Sequence, residues 1–372
     1  MDNMPRYHTR LPVRFTGTGA GYFRIWIVNL ILTALTLGLY WPFAKVRKRR
    51  FFYENTWVGD APLGFDGNPK VMLRGHVLVS VMFVLWVVAQ SIYGESARGL
   101  LVLLVPFLPW LMWSSLRFRT GHTLWRGLRF QFDGSLKDLY RVFAPLAWLL
   151  LSAVVLAVAA LALGSVQPWV PMLFLIGALG LLIVLLIQAF RLGWRFKGYQ
   201  HGHYRLGAEV TRLSVSLKDY QNLETRISLM TILVLVGAGV VATLITVVTG
   251  GLGAVPSSLL LYATALVMMT YRPARLQDLL WNNTRSEHIR FNSALPANAL
   301  LKLLMKNAVL TAVTLGLYWP FAAVAQTRMR LEAFSVDLYL SLEELTGASA
   351  GPAGTLGDAA ADISPLGVEV DF

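Results

Sequence analysis

Long apolar runs alternate along the chain with polar segments rich in basic residues. A helix needs roughly 20 apolar residues to cross a hydrocarbon core of about 30 Å. Six runs are predicted to span a membrane: Leu73–Ile92, Leu100–Leu116, Val142–Leu163, Val170–Phe190, Ile227–Val248 and Val255–Met269. Short connections rich in Gly, Pro and Ser join these runs in pairs. The pattern therefore predicts an all-α polytopic membrane protein with six transmembrane helices in three helical hairpins.

Composition and charge strengthen this prediction. Of the residues, 56% are hydrophobic and 14% charged, whereas a soluble domain carries about 25% charged residues. The formal net charge of +13 would suit nucleic-acid binding, but the 33 Lys and Arg residues cluster between the apolar runs, as in the cytoplasmic loops of membrane proteins. We therefore expect the lipid bilayer, and no nucleic acid, as a partner.

The same charges predict the orientation. Among the Lys and Arg residues, only Arg98 falls on the side of the short connections between paired runs. Cytoplasmic loops retain positive charge. The polar segments and both termini are therefore predicted to be cytoplasmic.

One segment occurs twice, near the two ends of the chain. Thr36–Ala44 returns letter for letter at Thr314–Ala322, and 15 of 22 positions are identical between Asn29–Arg50 and Asn307–Arg328. A match of this length indicates internal repeats. We predict repeat units near residues 14–56 and 290–335, inside one integral-membrane domain of residues 1–345. Residues 346–372 are rich in Gly, Ala and Pro and are predicted to be a disordered C-terminal tail.

The apolar centre of each repeat, Tyr22–Ala44 or Ala299–Ala325, is long enough to cross the membrane. Crossing would place Lys45–Arg50 outside, or invert two near-identical segments relative to each other. A re-entrant or leaflet-embedded helical hairpin avoids both problems, with its turn at Gly38 or Gly316, where glycine allows a positive φ. The alternative is eight full spans with both termini outside.

The polar segments between the spans share a second pattern. Asn55-Thr56 precedes Phe65-Asp66-Gly67, and similar pairs of motifs recur in the other polar segments. Such runs predict short β-hairpins, and Arg14–Gly17 resembles a further half-copy. Because an isolated hairpin is marginally stable, we expect the hairpins to pair into one small cytoplasmic sheet.

Several motifs of the first repeat are similar to those of a known family. Leu32–Tyr40, the Trp41-Pro42 pair, the basic run Lys45–Arg50 and Phe52–Thr56 resemble the YjgN-like family of bacterial inner-membrane proteins, and the resemblance extends to about Leu342. It implies a multi-pass protein of the bacterial inner (plasma) membrane. It implies no established reaction, substrate or catalytic residue.

Motifs for catalysis are lacking in the sequence. There is no cysteine, nucleophile elbow, phosphate-binding loop or zinc-protease motif, so we expect no enzyme, no catalytic residue and no cofactor. His201 and His203 form the one close histidine pair. Because no third ligand is evident, a polar turn is favoured over a metal site.

Two functional hypotheses remain open. In a transporter or channel, the repeats would build a site from broken helices. The candidate cavity-lining residues are Asn29, Tyr40, Asn307 and Tyr318. In a structural or lipid-organising protein, the basic run would contact anionic lipid headgroups at the cytoplasmic face. The candidate headgroup contacts are Lys45, Arg47, Lys48, Arg49 and Arg50. A membrane enzyme acting on lipid through His122 or His203 ranks last.

Overall fold

The computed structural model describes residues 8–94, 106–163 and 170–341, which form ten α-helices and eleven short β-strands. The helices are α1 (Gly19–Leu35), α2 (Trp41–Glu54), α3 (Pro69–Tyr93), α4 (Leu108–Gly121), α5 (Leu136–Leu163), α6 (Val170–His201), α7 (Leu217–Val248), α8 (Ala254–Trp281), α9 (Ala297–Val313) and α10 (Trp319–Glu332). The strands are β1 (Thr9–Phe15), β2 (Thr56–Val58), β3 (Ala61–Phe65), β4 (Thr123–Trp125), β5 (Leu128–Phe132), β6 (Tyr204–Leu206), β7 (Glu209–Val210), β8 (Arg212–Leu213), β9 (Thr284–Arg285), β10 (Ile289–Ser293) and β11 (Phe334–Leu338). Along the chain, a pair of helices followed by a strand hairpin recurs.

The strands form one antiparallel sheet that closes on itself. Their order is β7-β6-β5-β4-β3-β2-β1-β11-β10-β9-β8. The two end strands, β7 and β8, are separated in sequence by Thr211 alone. The Thr211 backbone N–H donates to the Tyr204 carbonyl at 2.8 Å, so the junction itself stays paired. The sheet is therefore a barrel, and closure removes the exposed edges that an open sheet would have.

This barrel corrects the all-α prediction. The expected hairpins do pair with one another. Their strands form a barrel whose neighbouring hairpins are far apart in sequence, so the fold combines helices with a closed sheet. Each strand is only two to seven residues long. Such short strands are stable here because every one of them has a partner.

The N-terminal strand β1 lies between strands from the beginning and the end of the chain. It pairs with β11 on one side, where Thr9 lies opposite Leu338, and with β2 on the other, where Phe15 lies opposite Thr56. In the recurring order, β1 thus takes the place of the second strand of the last hairpin. Helix α1 likewise packs against α10. This is the position of the half-copy predicted at Arg14–Gly17.

Side chains fill the barrel. In β1, buried Leu11, Val13 and Phe15 alternate with exposed Pro12 and Arg14, as expected of a strand with one buried face. The buried residues from around the ring meet in one hydrophobic cluster, formed by Leu11, Leu63, Trp125, Leu128, Ile289 and Leu338. The barrel axis is therefore packed and does not form an open pore.

Five described helices are long and apolar enough to cross a membrane, so the chain is a helical membrane protein by the character of its helices. These stretches are Met72–Tyr93, Leu136–Ala160, Met172–His201, Leu217–Val248 and Ala254–Trp281. The helices to which they belong, α3, α5, α6, α7 and α8, contain five of the six predicted spans. The sixth, Leu100–Leu116, lies partly outside the described residues. Arg98 and the predicted tail 346–372 lie wholly outside them. No residue in the most apolar stretch of α5 or α6 is buried, so these helices offer their surfaces to lipid.

The two sequence repeats form matching helical hairpins. The helices have 17 and 14 residues in both copies. The turns match as well: φ is 92° at Gly38 and 93° at Gly316, which confirms the predicted positive φ. In each turn a threonine hydroxyl accepts a hydrogen bond from the backbone N–H four residues later, Thr36 from Tyr40 and Thr314 from Tyr318, at 3.0 Å. The chain reverses direction at these turns.

Candidate functional site

A cavity of about 430 Å³, called here the central chamber, lies where the barrel meets the helices. Its barrel-side wall includes Leu63, Trp125, Ile289 and Leu338 of the barrel core. The remaining wall comes mainly from α2, α4, α8, α9 and α10. Because the lining residues come from all around the ring, the chamber is central. Its volume falls within the roughly 300–1,000 Å³ of small-molecule sites.

Basic side chains dominate the charge of the chamber. The charged lining residues are Lys48, Arg49, Arg119, Arg205, Arg330 and one carboxylate, Glu209. Away from bulk water, charges act through a lower effective dielectric constant, so their attraction for an anion is stronger than at an open surface. The lining therefore favours a negatively charged ligand.

Two of these arginines occupy matching places in their helices. Arg119 and Arg330 each lie three residues before the C-cap residue of their helix, His122 in α4 and Ala333 in α10. The Arg330 Nε donates to the Gln277 Oε1 at 2.8 Å, which orients its guanidinium. The repeated helix–helix–strand unit therefore directs basic groups to the chamber from two positions of the ring.

Arg119 carries an unsatisfied donor. Its Nε is buried and has no hydrogen-bond partner within the described protein. A buried donor left without a partner costs about 1–3 kcal/mol. Arg119 also lines the chamber, and a guanidinium binds carboxylate or phosphate through paired hydrogen bonds.

The basic run of α2 divides between two faces of the helix. Lys45 and Arg49 are buried, Lys48 is partly buried, and Arg47 and Arg50 are exposed. Positions i, i+3 and i+4 share one face of a helix, so Lys45, Lys48 and Arg49 lie together on the inner side. The Arg49 guanidinium lies 5.7 Å from the ring centre of Phe65. Of the five predicted headgroup contacts, Arg47 and Arg50 are the two that are exposed.

The four residues predicted to line a cavity have other contacts. Asn29 donates to the Ala44 carbonyl at 3.3 Å, and Asn307 to the Ala322 carbonyl at 3.5 Å. Each bond joins the two helices of one repeat. The tyrosines also pack locally: Tyr40 stacks on Phe43 and Tyr318 on Phe321, with ring centres 5.5 Å apart in both pairs. Neither the asparagines nor the tyrosines line the central chamber.

Sequence reasoning missed Arg119 and Arg330. A signal was available in the sequence. In both polar segments an arginine lies four residues before the first residue of the next strand, Arg119 before Thr123 and Arg330 before Phe334. The match between the two long repeats concealed this signal, because Arg330 of the second copy corresponds to Phe52 of the first.

The predicted histidine pair does not form a metal site with its neighbours. His201 Nδ1 lies 3.1 Å from the Thr284 hydroxyl, while His203 Nδ1 lies 2.8 Å from the Tyr199 carbonyl. In the part of the chain that the structure describes, no group of three or more potential metal ligands occurs. His122 contacts the Asp66 carboxylate at 2.7 Å.

Glu209, the acidic residue of the chamber, is held ionised at the barrel seam. Burial raises its pKa, but hydrogen bonds from Ser286 and His288 outweigh this effect and leave the pKa below its ordinary value. The His288 Nδ1 lies 2.8 Å from the Glu209 Oε1, and the His288 backbone N–H donates to the Oε2 at 3.1 Å. These bonds connect β7 to the loop before β10.

Comparison with known proteins places the chain among bacterial membrane proteins. A family model described as "Bacterial protein of unknown function (DUF898)" matches residues 10–363. The "Inner membrane protein YjgN" of Salmonella typhimurium strain LT2 is 25% identical over 338 residues, covering 83% of this chain and 84% of that protein. The protein of the same name from Escherichia coli K12 is 32% identical over 140 residues, 36% of this chain and 34% of that protein. No solved structure matches the chain.

Proposed function

We propose that this chain, which belongs to the DUF898 family, is a multi-pass protein of the bacterial inner membrane that binds an anionic solute in the central chamber and moves it as a transporter or channel. The YjgN-like resemblance of the sequence is confirmed by the relatives. Because these relatives are named as inner membrane proteins, we propose the inner membrane as the location of this chain. In this proposal the barrel and both termini are cytoplasmic, and the α1–α2 and α9–α10 hairpins re-enter the membrane. We propose no enzymatic step.

The observation that carries the proposal is the set of basic residues around the chamber. Arg119 and Arg330 enter it from two helices at matching positions, and Arg119 has a buried donor without a partner. Lys48, Arg49 and Arg205 line the same chamber, against the single carboxylate of Glu209. This excess of positive charge favours an anionic ligand.

The packed barrel limits the route that the solute takes. Trp125, Leu63 and Ile289 close the barrel-side end of the chamber. A solute would therefore pass either after these side chains move or sideways between helices. Both routes amount to a gate, which favours a transporter or a gated channel over a permanently open pore.

The alternative is the structural or lipid-organising role. Arg47 and Arg50 are exposed on α2, and the nearby hairpin tip presents Leu37, which is 95% exposed. This combination suits an amphipathic wedge in the cytoplasmic leaflet with anionic headgroups beside it. The alternative requires no ligand in the chamber.

Uptake of radiolabelled inorganic phosphate into liposomes containing the purified protein tests the transport proposal. We expect uptake above that of protein-free liposomes, reduced severalfold by Arg119→Gln or Arg330→Gln. Arg47→Gln and Arg50→Gln are matched controls, because these arginines are exposed outside the chamber. Absent uptake, together with vesicle deformation that depends on Arg47 and Arg50, would replace the transport proposal with the lipid-organising one.

A further inference from the structure

We infer that the preferred ligand of the central chamber is an anionic amphiphile, a phosphate or carboxylate headgroup attached to a hydrocarbon chain, which binds more tightly than a small hydrophilic anion such as inorganic phosphate. This inference rests on the proposed anion site and names its substrate class.

The lining of the chamber combines polar and apolar residues from different helices. Arg119, Gln326, Thr327 and Arg330 are polar lining residues from α4 and α10. Leu266, Met269, Leu300 and Leu304 form an apolar wall from α8 and α9. A small hydrated anion gains nothing from an apolar wall and loses hydration there. A hydrocarbon chain gains free energy from the same wall in proportion to the apolar area that it buries.

The apolar side also reaches the surface of the protein. Met269 lines the chamber and is nevertheless 74% exposed, and Trp319 lines it while 39% exposed. Both residues belong to helices whose neighbouring surfaces are apolar and suited to lipid. The chamber therefore has a mouth at the side of the protein, beside Met269, where a membrane amphiphile can enter without crossing water.

The remaining surroundings agree with entry from the side. The barrel-side end is packed around Trp125. The most apolar stretches of α5 and α6 contain no buried residue, so this hairpin does not enclose the chamber within a continuous helical wall. A hydrocarbon chain that enters beside Met269 would lie against apolar lining residues of α8 and α9, and its headgroup would pair with the basic residues of the same lining.

Calorimetric titration of the purified full chain in an uncharged detergent tests the inference with three probes that share one headgroup: inorganic phosphate, butyl phosphate and dodecyl phosphate. After correction for partition into micelles, we expect dodecyl phosphate to bind at least about tenfold more tightly than butyl phosphate. Met269→Trp, which fills the mouth, should weaken dodecyl phosphate at least about tenfold and leave inorganic phosphate unchanged. Leu261→Trp on the same helix, outside the chamber lining, is the matched control. Unfolding temperatures of the variants verify that they fold.

The outcomes separate the inference from the function on which it rests. Equal binding of the three phosphates, with Arg119→Gln weakening all of them, would overturn the amphiphile and keep the anion site. Equal binding of dodecanol and dodecyl phosphate would also overturn it, because the headgroup would then contribute nothing. If Arg119→Gln weakens the binding of none of the three phosphates, the proposed function itself is overturned.

Discussion

Glu224 of α7 and Arg272 of α8 form an ion pair in which both carboxylate oxygens accept hydrogen bonds from the guanidinium. The Nε–Oε2 distance is 2.9 Å. The glutamate side chain is 3% exposed and the arginine 54%. A buried carboxylate thus depends on a partner that reaches it from the surface.

Loss of the arginine should cost more than loss of the glutamate charge. Exposed ion pairs contribute about 0–1 kcal/mol, whereas stranding a buried charge costs about 3–5 kcal/mol. With one partner exposed, we expect Arg272→Ala to lower the free energy of unfolding by about 1–3 kcal/mol, and Glu224→Gln by less. Unfolding in detergent measures both, with exposed Arg226→Ala as control. Equal effects of all three variants would contradict the asymmetry.

The ionised Glu209 predicts acid sensitivity of the barrel seam. Its pKa lies below the ordinary value of 4.5 in the folded protein, so the unfolded chain takes up the proton first as the pH falls. The stabilisation from ionised Glu209 is therefore complete above about pH 4.5 and declines as the pH falls below that value toward the folded pKa. Glu209→Gln should be less stable than the parent protein at neutral pH, and the difference should shrink in acid.

Glu287 provides the control for this pH dependence. It is an exposed glutamate next to His288, so Glu287→Gln should leave the dependence of the unfolding midpoint on pH unchanged. A parent protein and a Glu209→Gln variant with parallel pH profiles would show that the seam does not rely on the ionised carboxylate.

Truncation of two adjacent residues of β1 should lower the free energy of unfolding by very different amounts. Phe15 is 3% exposed and stacks on Phe52 with ring centres 5.8 Å apart, and a buried Phe→Ala change costs about 3–5 kcal/mol. Arg14 faces outward, so Arg14→Ala should stay within about 0.5 kcal/mol of the parent protein. Unfolding midpoints of the two variants decide. A similar loss from both would show that β1 is not held by its inner face.

The re-entrant placement of the repeats predicts a pattern of cysteine labelling. Leu35→Cys and Val313→Cys place single thiols at matching ends of α1 and α9, in a chain that has no cysteine of its own. Tips inside the bilayer would be protected from a membrane-impermeant thiol reagent on both sides. Leu252→Cys, in the turn between α7 and α8, should be labelled from outside. Labelling of the repeat tips from outside would favour full spans.

Local patterns were sufficient for much of the fold. The lengths of the apolar runs predicted the five long apolar helices that the structure describes, and the turn residues predicted the positive φ at Gly38. Both features depend on neighbours in sequence. The Glu224–Arg272 pair escaped detection because the predicted spans began at Ile227 and ended at Met269. Helices α7 and α8 continue beyond those limits into their polar segments.

The barrel and the chamber depend on contacts that no local pattern contains. The two- and three-residue strands carry too little alternation to fix their register, and their partners lie in other units of the ring. Arg119 and Arg330 come together only after α4 and α10 have taken their places around it.

The position of β1 bears on how the protein is made. Arg10 of β1 bonds to Ser335 of β11, 325 residues further along the chain. Strand β1 leaves the ribosome first, but its pairing is complete only after β11 has been made. Until then β1 lacks one of its two neighbours, and bringing such distant segments together carries an entropic cost that grows with their separation. Nascent chains that stop before β11 would expose an unpaired strand to chaperones and proteases, which gives the cell a means of recognising unfinished copies.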